Sequence, residues 1–342
     1  MPWNAPFVNV SNNPSAPVMP GKRQRAQNLN APDVSVIICA HNPRPDYLRQ
    51  VLGALRAQTL PNDLWELLLI DNASTEPLAD TWDLSWHPAA RHIREPKLGL
   101  THARLCGIRE ASGSLLIFVD DDNILSEDYT EQALAVSNAF PGIGIWGGSI
   151  SGIFETKPPS WMENRLGYLA VGEVQSDAWS TLKGFNASCP LGAGMVVRKS
   201  VALGYVARAQ NDPLRLALGR KGAQLTSGED IDLAWSACSM GLGMGRFKSL
   251  RLRHLIGAQR LDLDYFERLV EGGSYSNVFL SHLHDVALEE SPNTVWAKLR
   301  VIKQQMGMSV VERRLARAAI RGRKRGLAAL KAALSSLNGA HP

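Results

Sequence analysis

Leu115-Leu116-Ile117-Phe118-Val119 carries no polar side chain and runs directly into Asp120-Asp121-Asp122-Asn123. A short apolar run closed by turn residues suits a strand buried on both faces. The three acids then sit at its carboxyl end. Ser126 follows, placed to cap a helix over residues 127–139. Outward from this stretch the same alternation repeats. Residues 34–39 form an apolar, β-branched run, and residues 46–58 carry Leu48, Val51, Leu52 and Leu55 at helical spacing. Residues 65–70 read as a second strand ending in Asp71-Asn72-Ala73-Ser74, and residues 91–94 as a short third. Residues 100–111 read as a helix stopped at Ser112-Gly113, and residues 143–150 as a further strand. Alternating strands and helices specify an α/β fold with a mostly parallel sheet flanked by helices. Such sheets bind ligands beyond the carboxyl ends of their strands. That placement, more than residue type, marks Asp71 and Asp120 to Asp122 as candidate site residues.

Downstream the pattern loosens. Residues 151–190 contain Pro158, Pro159, Trp161 and Trp179 and read as a long excursion over the active face. Strand character returns at residues 194–198, and a helix is expected over 226–238, where Thr226 and Ser227 can cap it. Residues 246–256 alternate like an edge strand and carry His254, and residues 262–283 read as a helix. After Ser291 the chain becomes basic and amphipathic, with Val295, Leu299, Ile302, Met306, Leu315 and Leu327 at helical steps and breaks expected near Gly307, Gly322 and Gly326. Three regions follow: a disordered, Pro- and Asn-rich tail over 1–32, an α/β domain over 33–260, and a helical basic region over 261–342.

The chain has 342 residues, is 45% hydrophobic and carries a net charge of +5. This leaves room for one large α/β domain with an appendage. The charge is too mild to imply a nucleic-acid partner, and none is expected. Cys39, Cys106, Cys189 and Cys238 form no CxxC pair, which argues against a zinc site or a disulfide framework. The first thirty residues lack an apolar leader and no stretch is long enough to span a bilayer, so a cytoplasmic location is expected. The basic tail could touch the inner membrane face through its amphipathic helices or pack on the domain with its charges solvated; the second is the plainer reading.

Three clusters suggest chemistry. Alternate residues of an extended segment share a face, so Asp120 and Asp122 can act together on a divalent cation while Asp121 points away. An acidic, helix-capping turn is the plainer reading of three acids alone. Gly228-Glu229-Asp230 places carboxylates in the first turn of a helix, where they complement the dipole and one could serve as a general base. His254 gains interest only as a further metal ligand. His282 and His284 read as a solvated helix end, Ser149 and Ser151 have no nucleophile context, and no P-loop is present.

Taken together, these motifs resemble glycosyltransferase family 2, inverting enzymes of GT-A fold. The resemblance runs from Val34 to Ile256 and rests on the order and spacing of the motifs. Residues 34–42, ending in Ala40-His41-Asn42, are similar to the family's first strand and nucleotide-contacting loop. Leu69-Ile70-Asp71-Asn72 resembles the segment that meets the base or ribose, although many members carry two acids there. His41 likewise stands where a Tyr is common. Lys97-Leu98-Gly99-Leu100 with Arg104 and Gly107 looks like the glycine-containing loop and helix before the metal motif, and Asp120-Asp121-Asp122 like the DxD motif itself. Gly192-Ala193-Gly194-Met195 resembles the segment beneath donor sugar and acceptor, and Glu229-Asp230 the acidic pair supplying the base.

The resemblance implies a nucleotide-sugar donor, UDP-linked in the first instance, and a glycan, lipid-linked or other hydroxyl acceptor. It implies Asp230, then Glu229, as catalytic groups. Ala40, His41, Asn42, Asp71, Lys97, Arg104, Asp120 and Asp121 would bind the nucleotide. Asp122, Asp120 and His254 would hold Mn²⁺ or Mg²⁺. A catalytically inactive GT-A binding module and a nucleotidyltransferase are the alternatives. The second is disfavoured by Ala40-His41-Asn42-Pro43, where that class carries a glycine-rich basic loop.

Overall fold

The computed structural model describes residues 32–221, 225–288 and 307–338. All but the last residue of the expected N-terminal tail lies outside them, as do Val295, Leu299, Ile302 and Met306.

The apolar runs form β1 (Val34–Ala40), β2 (Trp65–Asn72) and β4 (Leu115–Asp120), and the short third strand is β3 (Ala90–Glu95). They pair in parallel in the order β3-β2-β1-β4. Connecting them are α1 (Pro45–Arg56), the single turn α2 (Leu78–Thr81) and α3 (Leu100–Glu110). Successive strand side chains point to opposite faces. Val36 and Ile38 of β1 therefore pack with Leu48, Val51 and Leu55 of α1, while Ile37 between them packs with Ala103 and Ile108 of α3. Burial on both faces is what makes β1, β2 and β4 near-continuously apolar, whereas β3, at the end of the sheet, is polar and only half-buried.

The chain continues through β5 (Asn123–Leu125), α4 (Tyr129–Ala139), β6 (Ile143–Phe154), β7 (Ala178–Ser180) and β8 (Met195–Arg198). It then forms α5 (Lys199–Ala209), the turn α6 (Pro213–Leu216), α7 (Glu229–Ser239) and β9 (Gly243–Ile256). The described strands make one sheet in the order β3-β2-β1-β4-β8-β6-β9-β5, with β7 added on β9. β8 runs antiparallel to β4 and β6, while β6 and β9 are parallel. The expected α/β class, mostly parallel with flanking helices, is the observed one. Residues 151–190 hold a 3₁₀ helix (Ser160–Leu169) and β7.

Three local expectations change. The segment read as an edge strand is the interior of β9, flanked by β6, β5 and β7. Its alternation arises because Phe247, Leu250 and Leu252 join the core while Arg251 and Arg253 face solvent on the other side. Helix α4 starts at Tyr129 rather than Glu127, with Asp128 as N-cap and no side-chain cap. The backbone before it is committed to neighbouring segments: Ser126 N–H donates to Arg251 C=O at 2.9 Å, and Glu127 C=O accepts from Thr59 N–H at 2.8 Å. Likewise α7 is N-capped by Gly228, while Thr226 Oγ1 donates to Gly219 C=O at 3.0 Å instead of capping the helix.

The helical C-terminal region comprises α8 (Leu263–His284) and α9 (Val310–Asn338). α9 passes unbroken through Gly322 and Gly326, contrary to the expected breaks. A Cβ at Gly322 would lie 2.1 Å from Glu271 C=O, and one at Gly326 2.8 Å from Tyr275 C=O. Glycine here permits close helix contact rather than ending the helix. Arg314 pairs with Asp264 at 2.5 Å, Arg321 with Glu267 at 2.6 Å and Arg325 with Glu271 at 2.5 Å. The described part of the basic tail thus packs on α8. Among the described residues no helix is long and apolar enough to cross a membrane.

Candidate active site

Parallel pairing sets Ala40 level with Asp71, and Cys39 level with Asp120, at one end of the sheet. The loops leaving that end are knitted together. Asn42 takes a left-handed conformation (φ 47°), which Asn tolerates better than most residues. Its N–H donates to Ser74 Oγ at 3.0 Å and its Oδ1 accepts from Thr75 N–H at 2.8 Å. His41 Nδ1 lies 2.8 Å from Asn72 C=O. Asn72, standing where a second acid was noted as common, uses its amide to hold the next loop: Nδ2 donates to Lys97 C=O at 2.7 Å and Oδ1 accepts from Gly99 N–H at 2.8 Å. A second acid could not make that donor contact. The Lys97 side chain is exposed.

Asp71 is buried and fully engaged. Its carboxylate accepts from Ser74 N–H at 2.9 Å and Leu78 N–H at 3.2 Å and pairs with Arg94. Burial by itself would raise this carboxyl, but the Ser74 and Leu78 amides and the Arg94 guanidinium outweigh it and hold it below its usual range. A carboxyl lowered in the fold stabilises it above the unfolded value of about 3.9 and loses that contribution as pH falls through the folded value. Asp71→Asn is therefore expected to cost about 1–3 kcal/mol at pH 7. The gap to wild type should close as pH falls below about 4, and thermal melts between pH 7 and 3 check it.

Beyond the strand ends opens a cleft of about 1650 Å³, lined by His41, Arg104, Asp120 to Asp122, Arg220, Asp230 and His254. Arg104, on α3, is buried in its floor. Its Nη1 donates to Glu229 Oε1 at 3.1 Å, and its Nη2 lies 3.6 Å from Asp120 Oδ1. Burial pushes Glu229 and Asp120 above the usual carboxylate range despite this shared guanidinium. Burial, with Asp122 and Asp120 adjacent, pushes Asp121 up to about 8. Asp230, half-buried at the start of α7, accepts only its neighbour's Ile231 N–H at 2.9 Å and makes no ion pair among the described residues. A Cβ at Gly192 would sit 2.9 Å from Asp230 Oδ2, so glycine there lets the carboxylate reach the cleft wall.

The turn after Asp120 feeds β5, whose antiparallel pairing with β9 sets Asn123 opposite His254. This brings Asp122 to His254 across 132 positions of sequence, with Oδ2 3.2 Å from Nε2. Asn123 Nδ2 steadies the other carboxylate oxygen at 2.8 Å. Arg260 completes the group: its Nη1 lies 3.1 Å from Asp122 Oδ2 and 3.0 Å from His254 Nε2. Burial alone would raise Asp122, but His254 and Arg260 hold it below its usual range. His254 Nε2 and Asp122 Oδ2 thus face the same guanidinium, and a neutral imidazole nitrogen is the form that ligates metals. A carboxylate and an imidazole converging on one point suit Mn²⁺ or Mg²⁺ in donor chemistry. Asp120 is turned instead toward Arg104, and among the described residues no three His, Cys, Asp or Glu side chains form a metal-binding group.

Sequence reasoning missed Arg260 and Arg220, because no motif surrounds either and only the fold brings them to the cleft. It also misjudged His284. That residue is buried, 2.6 Å from Asp232 and edge-on to Trp235, rather than solvated. Only the packing of the end of α8 against Asp232 and Trp235 of α7 buries it.

Comparison with known proteins adds an independent line. The chain is 29% identical over 122 residues to Glycosyltransferase AglE of Haloferax volcanii, covering 35% of this chain and 40% of that protein. It is 32% identical over 108 residues to Polypeptide N-acetylgalactosaminyltransferase 8 of Drosophila melanogaster, covering 30% of this chain and 18% of that one. The match thus spans well under half of either relative's length. Among solved structures, S. aureus TarS 1-349 aligns over 88% of this chain and 92% of its own at 13% identity and a TM-score of 0.49. Residues 35–197, from the first strand through the acidic turn to β8, match the model described as glycosyl transferase family 2.

Proposed function

We propose that this protein transfers a sugar from a nucleotide-sugar donor, UDP-linked in the first instance, to an acceptor hydroxyl, with inversion at the anomeric carbon. One observation carries this reading. Asp230, a carboxylate without an ion-pair partner among the described residues, shares one cleft with the acidic turn Asp120 to Asp122 and with the Arg220 and Arg260 guanidinia.

In this reading His41 and Asn42 contact the nucleoside, and Asp71 acts by holding the loop that Asn42 shares with Ser74 and Thr75. Asp230 takes the proton of the acceptor hydroxyl as its oxygen bonds to the anomeric carbon. The bond from that carbon to the diphosphate oxygen breaks on the opposite side, and the nucleoside diphosphate leaves. General-base assistance of this kind contributes about 10²–10⁴-fold. Arg104 neutralises Glu229 and Asp120, so the free carboxylate of the acidic pair is Asp230. Asp122 and His254, with Asp120 nearby, would hold Mn²⁺ or Mg²⁺. When bound, such an ion neutralises charge on a leaving diphosphate. The acceptor would lie toward the 3₁₀ helix over Ser160–Leu169 and α8, which line the far side of the cleft.

Calorimetric titration of UDP, GDP, dTDP and CDP, with and without Mn²⁺, tests the reading. One nucleotide is expected to bind in the presence of the ion, and Asp122→Ala should weaken it at least about tenfold, as expected for loss of a charged contact. A folded wild-type protein that binds none of the four would be a binding module rather than a transferase.

A further inference from the structure

Arg260 occupies the point on which Asp122 Oδ2 and His254 Nε2 converge. Its Nη1 stands 3.1 and 3.0 Å from the two donors, which are themselves 3.2 Å apart. A divalent ion ligated by this pair would need the same lone pairs, at about 2.0–2.2 Å. Two cations cannot share them. The guanidinium is not otherwise tied down, since its Nε has no partner among the described residues. Its backbone is better held. Arg260 rides on a 3₁₀ turn (Ala258–Leu261) whose Ala258 N–H donates to Glu155 Oε2 at 2.9 Å. Glu155 in turn accepts from Tyr47 Oη at 2.9 Å and pairs with Arg44 at 2.6 Å. Arg44 lies two residues beyond Asn42. The perch of Arg260 is thereby latched to the loop expected to meet the nucleoside.

We propose that Arg260 is the resident cation of the Asp122–His254 pair and competes with the divalent ion for it. The displaced guanidinium moves to the incoming diphosphate, which offers it a bidentate anion. The ion then binds weakly alone and well only together with nucleotide, so the acidic turn is never left without a counter-charge. This inference rests on the nucleotide-sugar reading and adds to it an order of events and a residue that enforces it.

The test is calorimetric titration of Mn²⁺ into the full chain, alone and with saturating nucleoside diphosphate, for wild type, Arg260→Gln and Glu155→Ala. Removing charge-assisted contacts that the ion must break should tighten binding of Mn²⁺ alone by roughly tenfold to a hundredfold in Arg260→Gln. The enhancement of Mn²⁺ affinity by nucleotide, large in wild type, should shrink by a similar factor. Glu155→Ala leaves every donor in place and only loosens the perch, so it should shift Mn²⁺ affinity in the same direction, by less. Equal or weaker binding of Mn²⁺ alone by both variants, with nucleotide still bound, overturns the competition and leaves the transferase reading standing. Absence of Mn²⁺ binding in all three proteins, even with nucleotide, overturns both.

Discussion

Asp230→Asn is expected to lower kcat by about 10²–10⁴-fold while nucleotide affinity stays near the wild-type value. The substitution is nearly isosteric. The asparagine Oδ1 can still accept the Ile231 N–H that Asp230 accepts at 2.9 Å, so the first turn of α7 keeps its geometry. What disappears is a group able to take a proton. Asp230 is separable from its neighbour because Glu229 is buried and committed to Arg104 at 3.1 Å. Single-turnover assays beside nucleotide titrations check both halves of the expectation. A variant with unimpaired turnover would remove Asp230 from the role of base. A variant that lost nucleotide binding as well would show that the carboxylate shapes the cleft rather than the chemistry.

Arg104→Met is expected to be the most destabilising single change at the site, by about 3–5 kcal/mol. The guanidinium is buried between Glu229 and Asp120, at 3.1 and 3.6 Å. Without it, two carboxyls already pushed upward by burial lose the charge that keeps them tolerable. Uncompensated buried charge is far costlier than loss of the pair as a whole. The double variant Arg104→Met with Glu229→Gln should therefore recover much of the loss. Denaturant unfolding of the single and double variants measures the difference. If the single variant is as stable as wild type, water reaches the cleft floor and the pair is not desolvated.

The two changes separate what α7 does twice at its first turn. Glu229 braces α7 against α3 through Arg104, and Asp230, one residue on, faces the cleft. A helix N-terminus suits both roles, since its dipole favours carboxylates and its backbone is rigid. The buried Asp232, paired with Arg215 and with His284 at 2.6 Å, anchors the same helix against α6 and α8. The carboxylate assigned to chemistry is thus the one acid of three in that turn without an ion-pair partner among the described residues.

Much of this was legible in the chain itself. Continuous apolar runs over β1, β2 and β4, each ending in polar or acidic residues, determine buried parallel strands whose carboxyl ends share one edge of the sheet. Local pattern suffices because these strands are buried on both faces and α1 shows its own apolar stripe. The same pattern places Asp71 and the acidic turn at those carboxyl ends and Glu229-Asp230 at a helix start. Tertiary structure alone decided the rest. Nothing near Arg260 in sequence marks it, and it meets Asp122 only because β5 folds back onto β9 and a short 3₁₀ turn follows. His254 reads locally as one residue of an alternating strand, and only that pairing makes it a neighbour of Asp122 across 132 positions. Gly322 and Gly326 looked like helix breakers because propensity is a local quantity. Within α9 they are the positions where α8 approaches too closely for a Cβ, and close packing outweighs the modest cost of glycine in a helix. Short-range periodicity determined the elements and their acidic ends, whereas contacts between distant segments decided which charges neutralise one another and which one is left free to act.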